Sequence, residues 1–166
     1  MREYIDWTPF FKTWDLHGKY PKILSDEKVG VEAKKLFDDA NKLLDRIIAK
    51  SLLKARAVFG LYAASSDGET VKIYDENNSE LEKFVFPRQQ KEKKEGLVYQ
   101  SLSDFIAPLK DGQAQDYMGM FAVTAGIGAK ELSEYYLNQN DDYHSIMVKA
   151  IADRLAEAGA EYLHHK

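Results

Sequence analysis

Between residues 29 and 53 the apolar side chains recur at steps of three and four: Val29, Ala33, Leu36, Phe37, Ala40, Leu43, Leu44, Ile47 and Ile48, with Lys, Asp and Arg between them. A period near 3.6 gathers them on one side of a helix, which must then find a surface to pack against. Ser25 and Asp26 stand ahead of it as candidate caps. The same period returns from Tyr143 to His164 at Ile146, Met147, Ala150, Ile151, Leu155, Ala158 and Tyr162. Gly159 interrupts this second helix at about 1 kcal/mol relative to Ala.

The stretch between them has a different rhythm. "ARAVFGLYAASSDGETVKIY" runs apolar and β-favouring from Ala57 to Tyr62, turns at Asp67-Gly68, and alternates again at Val71 and Ile73, which predicts a hairpin. "LEKFVF" at 81–86 adds a third strand ended by Pro87, and "SLSDFIAP" a short helical turn stopped by Pro108. "DYMGMFAVTAG" at 116–126 has the continuous apolar character of a buried strand, followed by a helix from Ala129 to Leu137. Helices segregated from strands, without a βαβ rhythm or an internal repeat, predict an α+β fold in a single domain over 1–166.

"EYIDWTPFFKTWDLHGKYPKIL" (3–24) holds six aromatic side chains, Tyr4, Trp7, Phe10, Phe11, Trp14 and Tyr20. Taken alone, that density means core packing. A net charge of -4 gives no basic field for phosphates, so nucleic acid is not an expected partner, and the short run "RQQKEKK" (88–94) reads as a solvated loop. With no cysteine, thiol catalysis, thiolate metal sites and disulfides are ruled out, and the cytosol (a cytoplasmic location) is the default compartment. No apolar run approaches the ~20 residues of a membrane span, and the charged first residues do not resemble a signal peptide.

Few residues suggest chemistry by spacing. "TAGIGAKE" (124–131) lies where a phosphate-binding glycine turn would lie, but Glu131 stands where the third glycine is needed, so a tight strand-to-helix turn is the better reading. His17, His144, His164 and His165 lack the i, i+4 spacing of a helical metal pair. Asp141 and Asp142 read as a helix cap and its dipole complement. Asp153, Glu157 and Glu161 form a stripe on the last helix, where Arg154 has acids on either side to pair with.

The opening stretch, "ARAVFGLYAASSDGETVKIY", "FPRQQ", "SDFIAP", "DYMGMFAVTAGIG" and "DDYHSIMVKAIADRLAEAGAEYLH" occur in the order and spacing of the activation domain of cobalamin-dependent methionine synthase, which the chain resembles over nearly all its length. The resemblance implies a mixed C-shaped or helmet-like domain with a bent antiparallel sheet and flanking helices, which binds S-adenosylmethionine and caps cobalamin carried by another module. It further implies reductive remethylation of cob(II)alamin, with an electron from a flavodoxin-type reductase and a methyl group from S-adenosylmethionine. The partner is then the cobalamin-binding module of methionine synthase, in methionine biosynthesis. The aspartate of "IDWTPFF", here Asp6, is the family's ligand for the amino group of S-adenosylmethionine. Glu157 matches a family glutamate near the adenosylmethionine and cobalamin site. No side chain is expected to act as a nucleophile.

The family's "RPAPGYP"-like segment, which supplies an arginine for the ligand carboxylate, lies beyond the helix matching 143–164 and is not among residues 1–166. The expectation is therefore the N-terminal and central part of the domain, as a piece of a longer synthase or as a short relative. Losing a charge-assisted partner costs about 1.5–3 kcal/mol, so binding by these residues alone is expected to be weak. The alternative is a noncatalytic relative that docks on a separate cobalamin-carrying protein and regulates it.

Overall fold

The computed structural model describes all residues, 1–166. The elements run α1 (Trp7–Lys12), α2 (Gly30–Lys50), β1 (Lys54–Asp67), β2 (Thr70–Tyr74), β3 (Glu80–Val85), β4 (Asp116–Ile127), α3 (Ala129–Leu137) and α4 (Asp142–His164), with 3-10 turns at Arg2–Tyr4, Lys22–Ser25 and Leu102–Phe105. The strands form one open antiparallel sheet in the order β3-β2-β1-β4. Residues group into two compact units, Met1–Val58 with Ala122–Lys166, and Phe59–Phe121.

The first unit is helical around an aromatic and aliphatic core. Phe10, Phe11 and Met147 are fully buried, with Leu44 and Ile151 nearly so. Trp7 meets Phe10 and Phe37 edge-on, at centroid distances of 5.2 and 4.9 Å. The apolar stripe of α2 is thus covered by the N-terminal aromatics and by α4. Asp26 accepts from the amides of Lys28 and Val29 in the turn that leads into α2, and these bonds hold its carboxyl below the usual range. The cap of α4 is Asp141, whose Oδ1 accepts from the His144 amide at 3.0 Å, while Asp142 is the first helical residue. Between α3 and α4 the hydroxyls of Ser133 and Ser145, both buried, bond to each other at 2.7 Å, so neither is left unsatisfied.

Two glycines of this unit have steric reasons. Gly128 joins β4 to α3 with φ +94°, and a Cβ there would lie 2.5 Å from the Leu52 carbonyl oxygen. The "TAGIGAKE" segment is therefore the tight strand-to-helix turn its missing third glycine implied. Gly159 is buried in α4, where a Cβ would come within 3.0 Å of Val123 and 3.2 Å of Met1. Its helix-propensity cost is offset by that close packing.

In the second unit β1 and β2 pair from Ala63↔Tyr74 to Asp67↔Thr70 across the Gly68 turn, and β2 pairs with β3 from Thr70↔Val85 to Tyr74↔Glu80. Ala64, Val71 and Ile73 are buried on one face, covered by Tyr62, Phe84, Phe86, Ile106, Met118 and Met120. Ser101 and Asp104 form a reciprocal capping box around the 3-10 turn. Arg88 is not free in a solvated loop: it donates to both oxygens of Asp104 at 2.7 Å and to the Tyr99 carbonyl at 2.8 Å. That ion pair, with the Ser101 amide, pulls the Asp104 carboxyl down to about 2.

The strand read as buried at 116–126 is corrected by the structure. β4 is an edge strand whose residues alternate between half-buried and exposed over 116–121, with Tyr117 and Phe121 open to solvent, and in its second half only Ala125 is buried. Its continuous apolar character reflects two apolar faces of which only one is covered among these residues.

Candidate functional site

The candidate site starts at the cap of α1. Asp6 has extended backbone angles (φ -77°, ψ 110°), and its Oδ1 accepts from the Thr8 amide at 2.9 Å, which satisfies one of the free amides of the helix start. The residue is exposed, and its other oxygen, Oδ2, makes no hydrogen bond within the chain. Ile5 and Trp7 on either side are buried and anchor the position. Thr8 adds a second tie, its hydroxyl accepting from the Tyr20 amide at 3.2 Å, so the aromatic segment folds back on the helix that Asp6 caps. Sequence reasoning did not single out Thr8; a threonine two residues past a cap carries no pattern of its own.

Glu157 lies on α4, exposed, and both of its oxygens are engaged by Arg154, at 2.5 and 2.7 Å. Of the acids flanking that arginine, Glu157 is the one that pairs. The guanidinium side chain is only 14% exposed, so the pair sits against the protein at its arginine end. Asp153 and Glu161 are exposed on the same helix. The N-terminal turn packs on this part of α4: Tyr4 meets Tyr162 edge-on at 5.7 Å, and Met1 approaches Gly159. The two sequence-predicted site residues are therefore carried by elements in contact.

The cavities lie elsewhere. One of about 400 Å³ is lined by Trp14, Leu36, Asp39 and Tyr143 among others, and burial beside Asp39 pushes the Tyr143 hydroxyl up to about 12. Another of about 580 Å³ lies in the second unit. Neither Asp6 nor Glu157 lines them. His144 is held by Asp141 through Nδ1 at 2.8 Å and stacks on Tyr136, and the Asp141 carboxyl is kept low first by the His144 amide and then by its imidazole. No three His, Cys, Asp or Glu side chains are grouped closely enough to hold a metal ion. No helix is long and apolar enough to cross a membrane.

An open four-stranded antiparallel sheet with flanking helices, and an exposed carboxylate capping the first of them, places the molecule among α+β domains, and solved structures narrow the class. The chain is 52% identical to a crystallised MetH reactivation domain bound to AdoHcy, with a TM-score of 0.90 over 99% of this chain and 50% of that one. It thus spans about half the length of the solved domain. The family model of the vitamin B12 dependent methionine synthase activation domain matches residues 1–166, and the chain belongs to that family.

Proposed function

We propose that this chain forms the part of a methionine synthase activation domain that receives the amino end of S-adenosylmethionine, with Asp6 as the carboxylate that takes the ammonium. The observation that carries the reading is how that carboxylate is used: Oδ1 is committed to the Thr8 amide and Oδ2 faces solvent with no partner. A fixed carboxylate with one oxygen spare fits a primary ammonium, through a charge-assisted hydrogen bond stronger than a neutral one. The 52% identical relative solved with AdoHcy, which carries the same amino acid end, supports this ligand class. Glu157 belongs to the same reading as a second acid near the site. To meet a cationic ligand it must share its oxygens with Arg154 or release them.

The bound ligand supplies a methyl group, and the acceptor is cobalamin carried by another module of the synthase. This chain's part is to hold and orient the donor, a contribution of positioning rather than of a reacting side chain. A flavodoxin-type reductase as electron source, and a cytoplasmic location, complete the proposal.

The test is an NMR titration of S-adenosylmethionine into the chain, which reads affinities down to the millimolar range. The Thr8 amide is the reporter, since it donates to Asp6. Saturable shifts at Thr8 are expected, and Asp6→Asn, which keeps the helix cap but removes the charge, weakens binding by about tenfold or more. An unmoved Thr8 amide at saturating ligand, or equal affinity for Asp6→Asn, overturns the assignment.

A further inference from the structure

Beside Asp6 lies an aromatic surface that the core uses only in part. Burial alternates along the entry to α1: Ile5 and Trp7 are buried, while Tyr4 is half-buried and Asp6 exposed, so the Tyr4 ring and the Asp6 carboxylate lie on the outer side of the chain. Ile5 and Asp6 are extended, which sets the Cα atoms of Tyr4 and Asp6 about 6–7 Å apart. The Tyr4 ring meets Tyr162 of α4 edge-on at 5.7 Å, and His165 stands 6.0 Å from it. Tyr162 is 37% exposed and already attracts a cation, the ammonium of Lys166 lying 5.4 Å from its ring centroid. The turn that carries Tyr4 is tied down: the Tyr4 amide donates to the Met1 carbonyl at 3.0 Å, and the Arg2 guanidinium donates to Asp45 and Asn41 of α2 at 2.5 and 2.7 Å. Tyr4 is therefore held in place before any ligand arrives, and the nearby arginine is engaged on α2.

We infer that the Tyr4–Tyr162 pair is the wall against which the sulfonium of S-adenosylmethionine sits, so that Tyr4 sets a preference for the charged donor over a neutral thioether. The inference rests on the reading of Asp6 as the carboxylate that takes the ammonium. In S-adenosylmethionine a short carbon chain joins the ammonium to the sulfonium, so a ligand anchored at Asp6 brings its second cation within reach of a ring two residues away. The negative face of an aromatic ring attracts such a cation, and a sulfonium has no N–H through which a carboxylate or carbonyl could hold it instead. Asp6 cannot make this distinction by itself, because S-adenosylmethionine and S-adenosylhomocysteine carry the same ammonium. Transfer of the methyl group leaves the sulfur neutral, so the wall holds the donor more tightly than the spent molecule.

The experiment is a pair of NMR titrations of the 166-residue chain, one with S-adenosylmethionine and one with S-adenosylhomocysteine, on the parent and on Tyr4→Leu, Tyr4→Phe and Asp6→Asn. The parent is expected to bind the charged ligand at least about threefold more tightly than the neutral one. Tyr4→Leu erases that ratio by weakening the charged ligand alone, Tyr4→Phe keeps it because the ring remains, and Asp6→Asn weakens both ligands alike. If circular dichroism shows Tyr4→Leu unfolded, Tyr162→Leu replaces it. A ratio unchanged in the leucine variant, or an equal loss for both ligands, overturns the inference even where Asp6→Asn behaves as expected. A parent that prefers neither ligand, or binds neither, overturns it as well. Asp6→Asn without effect on either ligand overturns the ammonium assignment but not the role of Tyr4, which the ratio alone decides.

Discussion

At the scale of single residues, glycines separate steric need from mere conformational convenience. Gly68 and Gly128 both have positive φ, but only Gly128 has a carbonyl oxygen 2.5 Å from where a Cβ would go. Gly68→Ala is expected to cost about 1 kcal/mol, the price of a left-handed alanine, and Gly128→Ala about 2 kcal/mol or more, because the Leu52 carbonyl must also move. Urea unfolding of the two variants side by side checks the order. Asp6 can be dissected the same way. Asp6→Ala loses the cap and about 1 kcal/mol of stability, whereas Asp6→Asn stays within a few tenths of the parent, so a stability loss in Asn would mean the charge itself is structural. Asp6 was singled out in the sequence by the resemblance of its motif, but its cap on α1 and the freedom of Oδ2 were not legible, because both depend on what surrounds it in space.

At the scale of elements, the loop from Arg88 to Ser101 is closed by a clamp rather than by regular structure. The guanidinium of Arg88 forks onto Asp104, and the same carboxylate takes the Ser101 amide at 2.9 Å. The Asp104 carboxyl titrates at about 2 in the folded chain, below its value of about 3.9 in an unfolded one. A lowered folded value means the stabilisation is present above about pH 4 and is lost as pH falls through about 2. Asp104→Asn is therefore expected to flatten the acid limb of the stability profile between those values, read by thermal melts at each pH, and to speed amide exchange in residues 89–100. The short helical turn of "SLSDFIAP" was visible in the sequence, since its signals are local, and the Ser101–Asp104 box that caps it emerged with the structure. So did its arginine, sixteen residues upstream in a run that looks solvated. The helices were legible for the same reason: α3 begins and ends where its period does, and α4 begins one residue earlier than Tyr143.

At the scale of the whole molecule, the aromatic segment 3–24 is mostly core. Phe10 has no exposed surface and touches Trp7, Phe11 and Trp14, so Phe10→Ala is expected to cost about 3–5 kcal/mol in denaturant unfolding, among the largest losses a single substitution here can cause. Asp6, at its head, is one of its exposed polar residues. The strand reading of 116–126 was right in extent and wrong in burial, because an apolar run reports that a strand has apolar faces and not which of them the rest of the chain reaches. Periodicity and turn residues belong to neighbours along the chain, so the sequence by itself determined the α+β class, the strands and the three longer helices, while Asp6 was singled out by the resemblance of its motif. Which acid Arg154 chooses, what Arg88 clamps, why Gly159 must be glycine and which sheet face stays open were decided only in the tertiary structure, since each depends on atoms that folding brings together from distant positions or on the geometry of side chains once packed.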